Sequence, residues 1–108
     1  MAAEIARGEV RLYRFPRPDK ERLVVVLTRP PVIRRLSKVT VAPITSALRG
    51  VTSEVMLDQG DGMKGPCGVN LHNLETVSQR RVGRRLAQLS PRRMEEIFAA
   101  LRFAMGCA

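Results

Sequence analysis

Polar and apolar residues alternate from Gly8 to Phe15, G-E-V-R-L-Y-R-F, with Val10, Leu12 and Arg14 on one side and Glu9, Arg11 and Tyr13 on the other. A period of two predicts a half-buried antiparallel strand. Leu23–Thr28, L-V-V-V-L-T, does not alternate, and a short unbroken β-branched run predicts a strand covered on both faces. Between them lies Pro16–Arg22, a charged stretch with two prolines, so the pair is expected to form a hairpin around this loop. Arg29–Ser37 opens on Pro30-Pro31 and carries Arg34-Arg35; it reads as an irregular crossing with room for one helical turn.

The stretch that organises the rest is Lys38–Ser46, K-V-T-V-A-P-I-T-S. Val39, Val41 and Ile44 give it a buried strand character, and Pro43, which has no N–H for a ladder, marks an edge or a bulge. Such a break re-aims the side chains beyond it, here the hydroxyls of Thr45 and Ser46. Those hydroxyls can hydrogen-bond a phosphate oxygen, and they can equally cap a turn. After a loop at Arg49–Ser53 come a short strand at Ser53–Leu57 and a Gly-rich loop at Asp58–Pro66. Next are a strand at Cys67–Val69, a polar exit at Asn70–Asn73 and a possible continuation at Glu75–Val77. Ser78–Arg81 reads as a turn or a single helical turn, and Val82–Leu89 is assigned as strand, although its pattern also fits a helix. The last element is the clearest. Ser90 caps it, Pro91 takes the first helical position, and Glu95-Glu96 fall in the first turns. Met94, Ile97, Phe98, Leu101 and Met105 form one apolar stripe, and Gly106 stops the helix. Many short strands with one terminal amphipathic helix predict a mainly β (α+β) domain over residues 1–108, a small barrel or strongly bent sheet.

Composition narrows the partner. The 108 residues carry 19 Lys plus Arg against 10 Asp plus Glu, a net charge of +9. Sixteen of those cations are arginines, whose planar fork suits phosphate, so a polyanion such as nucleic acid is the expected ligand. A G+C-rich genome would also raise the arginine count. With four aromatic residues, Tyr13, Phe15, Phe98 and Phe103, base stacking is not the expected mode of recognition. Two separated cysteines, Cys67 and Cys107, give neither a disulfide framework nor zinc spacing. No apolar run is long enough for a signal peptide or a membrane span, so a reduced, cytoplasmic setting is expected.

One histidine and unclustered carboxylates exclude a metal centre by motif, no Gly-rich phosphate loop precedes a helix, and D-Q-G-D-G lacks the spacing of a calcium loop. Arg22, Thr45 with Ser46, Arg49, and His72 between Asn70 and Asn73 remain. Such a set can support phosphodiester cleavage through an adjacent 2′-hydroxyl, since the RNA supplies its own nucleophile.

The chain resembles the MazF/PemK toxins of bacterial toxin–antitoxin pairs, small dimeric endoribonucleases with the fold of the CcdB toxin. The resemblance rests on R-G-E-V at Arg7–Val10, R-x-V-V-V-L at Arg22–Leu27, V-A-P-I-T-S at Val41–Ser46, V-N-L-H-N-L-E-T-V at Val69–Val77, R-V-G at Arg81–Gly83 and the terminal L-R-F-A-M-G. It implies a half-open β-barrel of the CcdB/MazF/Kid type. It also implies a metal- and cofactor-independent, sequence-selective endoribonuclease that leaves a 2′,3′-cyclic phosphate on single-stranded RNA. Arg22 matches the family's catalytic arginine and Thr45 its catalytic threonine. His72 stands where related toxins hold an Asp proposed as general base; an imidazole suits that task, and a solvated loop residue or RNA contact is the alternative. Arg17, Lys20, Ser46, Arg49, Asn70 and Asn73 are the expected RNA contacts. The implied partners are an identical subunit and a cognate acidic antitoxin seated over Arg17, Lys20, Arg22 and Arg49. Leu23 replaces the family's usual Pro, Arg11 a usual aromatic residue, and the first loop is short, with Glu21 out of register for a catalytic role. Two other readings stay open: a non-enzymatic toxin of the same fold acting on a protein such as gyrase through Met105–Ala108, and a plain RNA-binding module.

Overall fold

The computed structural model describes residues 5–16, 21–29, 33 and 35–106. Among these residues, seven strands form one antiparallel sheet: β1 (Glu9–Arg14), β2 (Glu21–Val26), β3 (Lys38–Thr45), β4 (Glu54–Leu57), β5 (Cys67–Asn70), β6 (Glu75–Ser78) and β7 (Val82–Gln88). The helix α1 (Pro91–Met105) follows. The order β4-β5-β3-β2-β1-β7, with β6 also on β3, leaves β4 and β7 at opposite ends. The sheet is therefore not closed.

β1 and β2 make the expected hairpin, with Val10 opposite Val25 and Tyr13 opposite Arg22. β2 begins earlier than its apolar run, at Glu21, because β1 pairs with it that far. Arg22 is therefore a strand residue rather than a loop residue. Val24, Val25 and Val26 are wholly buried. Val25 joins a core with Val10, Ala42, Ile44, Val69 and Ile97 beneath α1, whereas Val24 and Val26 join Tyr13, Phe15, Val39 and Val41 on the other face. Burying Ile97 alone is worth about 1.5–3 kcal/mol.

This two-sided burial corrects the reading of β1. Arg14 is exposed and Leu12 only half-buried, while Glu9, Arg11 and Tyr13 are buried. Arg11 Nε donates to Glu9 Oε1 at 2.9 Å, and its guanidinium also reaches the Gly83 carbonyl. The two charges thus neutralise each other inside the sheet. The glycine of R-V-G has a steric reason as well: a Cβ on Gly83 would lie 2.9 Å from the Leu12 carbonyl oxygen.

Pro43 marks a seam rather than an edge or a bulge. Leu27 N–H donates to Thr40 O at 2.9 Å, so even-numbered residues of β3 bond to β2 and odd-numbered ones face away. On that far side, Lys38–Val41 pair with β6 and Ile44–Thr45 pair with β5. Pro43 falls between the two partners, where no N–H is required.

α1 has the expected ends: Ser90 Oγ accepts Arg93 N–H at 3.2 Å, and Gly106 takes a left-handed conformation. Its first turn holds Arg92 and Arg93 rather than acids, since Glu95 and Glu96 fall in the second turn. Ile97 and Ala100 are the buried residues, and Met105 is 64% exposed because Ala104 takes the core-facing place instead. Arg7 stacks over Phe98 at 4.3 Å, tying the N-terminal lead-in to the helix.

Candidate active site

Strand register decides where Arg22 and Thr45 point. Val24 lies opposite Pro43 and Val25 opposite Ala42. Residues two apart on a strand share a face, so Arg22 shares the face of Val24, and Thr45 that of Pro43. The β2–β3 pairing ends at Val24 and Pro43, so Arg22 and Thr45 lie two residues beyond it at neighbouring strand ends and line different clefts, with Tyr13 opposite Arg22 on β1. Arg22 lines a cleft of about 350 Å³ with Phe15, Pro43, Asn73, Leu74 and Glu75. That cleft opens where β3 changes partner.

A larger cleft of about 720 Å³ lies on the opposite face of β2, lined by Glu21 and Leu23 rather than by Arg22. Thr45 and Ser46 border it at the end of β3, facing Lys64, Cys67 and Arg84. Thr45 Oγ1 accepts Ala47 N–H at 3.0 Å. The hydroxyl therefore caps its turn as an acceptor and keeps its proton for donation. Cys67 is a free, buried thiol, and burial, then Asp61 and Asp58, push its pKa up, which keeps it protonated and unreactive.

His72 stands on the turn between β5 and β6. Its Nδ1 is 2.6 Å from Ser53 Oγ, and its backbone N–H donates to Asn70 Oδ1 at 3.1 Å. Asn70 is buried, so its oxygen shapes this turn; Asn73, exposed, reaches the Arg22 cleft. Arg49 is exposed on the loop before β4, and its N–H and that of Gly50 donate to the Glu54 carboxylate at 3.2 and 3.0 Å. That loop presses on β5: a Cβ on Gly68 would lie 2.8 Å from Leu48 Cδ2. Arg17 and Lys20 lie outside the described residues.

The structure thus groups Arg22 with Asn73, Thr45 with Ser46, and His72 with Asn70. Sequence reasoning missed Ser53, Lys64 and Arg84, none of which belongs to a motif. It also missed the brace behind Lys64. Asp61 and Asp58 cap a short turn at Gln59–Asp61, and Arg93 of α1 reaches across to Asp61 Oδ1 at 2.9 Å. Burial works to raise the Asp61 pKa, but hydrogen bonds from Arg93 and the Asp58 backbone outweigh it and hold the carboxyl below its ordinary value. The Asp61 and Glu96 carboxylates correspondingly raise that of Arg93. Among the described residues, no three His, Cys, Asp or Glu side chains converge as metal ligands, and no helix is long and apolar enough to cross a membrane.

Comparison with known proteins bears on this geometry. The family model described as "PemK-like, MazF-like toxin of type II toxin-antitoxin system" matches residues 6–105. A Mycobacterium tuberculosis protein named probable endoribonuclease MazF5 is 40% identical over 109 residues, covering 100% of this chain and 99% of its own. A second from that organism, probable endoribonuclease MazF2, is 37% identical over 94% of this chain and 98% of its own. The solved Mycobacterium tuberculosis toxin MazF-mt6 superposes with a TM-score of 0.83 at 32% identity, covering 91% of this chain and 96% of that one. A mycobacterial endoribonuclease solved with its cognate antitoxin shares the fold, with a TM-score of 0.87 at 23% identity over 97% of this chain and 98% of that one. With the unclosed seven-stranded sheet and its terminal helix matching as well, this chain belongs to the PemK-like, MazF-like toxin family of type II toxin–antitoxin systems.

Proposed function

We propose that the chain is an endoribonuclease toxin that cuts single-stranded RNA at selected sequences without a metal or other cofactor. Cleavage leaves a 2′,3′-cyclic phosphate and a 5′-hydroxyl. The observation that carries this reading is that Arg22 and Thr45 stand at neighbouring ends of the paired strands β2 and β3, each bordering a cleft. His72 Nε2 takes the 2′-hydroxyl proton as the O2′–P bond forms and the P–O5′ bond breaks. Arg22 stabilises the charge on the phosphorane, Thr45 Oγ1 donates a hydrogen bond to a phosphate oxygen, and water protonates the leaving 5′-oxygen. Arg17, Lys20, Ser46, Arg49 and Asn73 guide the strand, with Lys64 and Arg84 joining from the larger cleft. The family's type II toxin–antitoxin setting supports an acidic antitoxin as the physiological blocker of these cations. Exposed Phe103 and Met105, at 59% and 64%, favour a second copy of the chain as a further partner.

The test is incubation with a long mixed-sequence RNA in EDTA, followed by end mapping. New 5′-hydroxyl and cyclic phosphate ends at recurring sequences are expected. Cleavage that the chelator abolishes would overturn the metal-free mechanism, and intact RNA recovered after tight binding would favour a plain binding module.

A further inference from the structure

His72 is the only histidine of the chain, and its ring meets Ser53 Oγ through Nδ1 at 2.6 Å. Ser53 is buried and His72 is exposed, so the hydroxyl approaches from the protein side and leaves Nε2 turned away from it. Both ends of the contact are anchored. The Ser53 carbonyl accepts Leu71 N–H at 2.9 Å, and the next residue, Glu54, pairs with Asn70 across β4 and β5. On the other side, Asn70 Oδ1 holds the His72 backbone N–H. An exposed imidazole would ordinarily rotate; this one is fixed by a residue nineteen positions away that no motif marks.

The direction of the hydrogen bond decides what the ring can do. If Ser53 donates to Nδ1, the neutral ring carries its proton on Nε2, and the outward nitrogen has no lone pair for a second one. If Nδ1–H donates to Ser53 Oγ, the outward Nε2 is a base. A base that has accepted its proton is an imidazolium, in which both nitrogens donate. The second arrangement alone keeps the same hydrogen bond before and after transfer, so the site need not reorganise as charge develops.

We propose that Ser53 is a positioning residue. Its Oγ accepts a hydrogen bond from His72 Nδ1–H, which holds the ring in the Nδ1-protonated tautomer and presents the Nε2 lone pair to the RNA 2′-hydroxyl. The direction of the hydrogen bond and its catalytic use rest on the reading of His72 as general base; the contact through which Ser53 holds the ring does not.

Nitrogen-15 NMR of the intact, histidine-labelled chain, at a pH where the ring is neutral, reads the tautomer without ambiguity because there is one histidine. A protonated Nδ1 and an unprotonated Nε2 are expected in the unaltered protein. Ser53→Ala should move the proton to Nε2, and it should slow single-turnover cleavage by about 10- to 100-fold with RNA affinity unchanged. An unaltered protein already protonated at Nε2 overturns the inference whether or not the variant folds, and so does a Ser53→Ala chain that keeps Nδ1 protonated. If the tautomer is as stated but His72→Ala cleaves at full rate, the general-base reading falls while the hold of Ser53 on the ring stands.

Discussion

Arg93 Nε, on α1, lies 2.9 Å from Asp61 Oδ1, on the loop that carries Lys64 to the larger cleft. The same guanidinium reaches Glu96 at 2.9 Å, and Asp61 also accepts the Asp58 N–H at 2.9 Å. The two side chains are only 23% and 8% exposed, so solvent screens the pair weakly. Asp61→Ala removes a charge-assisted hydrogen bond and half of a turn cap. It should cost about 1.5–3 kcal/mol, read as a shift in the urea midpoint at constant slope.

The pH dependence of that contribution has a definite sign. The folded-state pKa of Asp61 is lowered, so the unfolded chain binds its proton more readily. The stabilisation is complete above the ordinary Asp pKa of about 4 and is lost as pH falls through the lower folded value. Parallel urea titrations of the unaltered chain and Asp61→Asn should show a constant gap at neutral and mildly acidic pH. The gap should narrow only below that ordinary value; narrowing near neutrality would contradict the assignment.

Removing Arg22 or Thr45 tests the chemistry directly. Loss of one donor to the developing oxyanion costs about 10²–10³ in rate, so Arg22→Ala and Thr45→Ala should each lose at least that in single-turnover cleavage. Both chains should keep their thermal midpoints close to the parent's. If both retain full rate, the roles given to these two side chains are wrong.

The larger cleft predicts a separable effect on binding. Arg84 is exposed beside Thr45 and Ser46. If it contacts a phosphate, Arg84→Ala should weaken RNA across sequences alike and reduce the slope of log affinity against log salt by about one. An unchanged slope would exclude that contact.

The buried pair in β1 makes the sharpest stability prediction. Glu9 and Arg11 side chains are each 7% exposed. Arg11→Ala removes the nearest cation of a buried carboxylate that keeps the Ala6 N–H at 2.8 Å and the Arg85 guanidinium at 3.8 Å, and should cost about 1.5–3 kcal/mol. Replacing both residues with apolar side chains of similar size should cost much less, and thermal melts of the two variants decide between these outcomes.

Local signals made part of this molecule legible from its sequence. Ser90, Pro91 and Gly106 set the ends of α1 because capping involves neighbours in the chain, and three consecutive valines marked a strand buried on both faces. The misreadings share one cause. Alternation in β1 points to one wet face, because nothing local shows that Glu9 and Arg11 cancel each other beneath a second core. Tertiary pairing likewise extends β2 back to Glu21 and moves Arg22 out of its predicted loop. The family motifs made Arg22, Thr45 and His72 candidates. Ser53, Lys64 and Arg84 come close to them only through folding, and no sequence spacing announces such a meeting.

The seam at Pro43 has a consequence for how this fold can vary. A ring in place of an amide proton lets β5 and β6 part company on β3 without stranding a donor, and the notch beside Arg22 is the space they leave. An alanine there would restore a donor aimed at an unfilled gap, inviting water or a neighbouring strand to take it. The opening is thus guarded by the backbone, and changes to the side chains around it can alter its lining without sealing it.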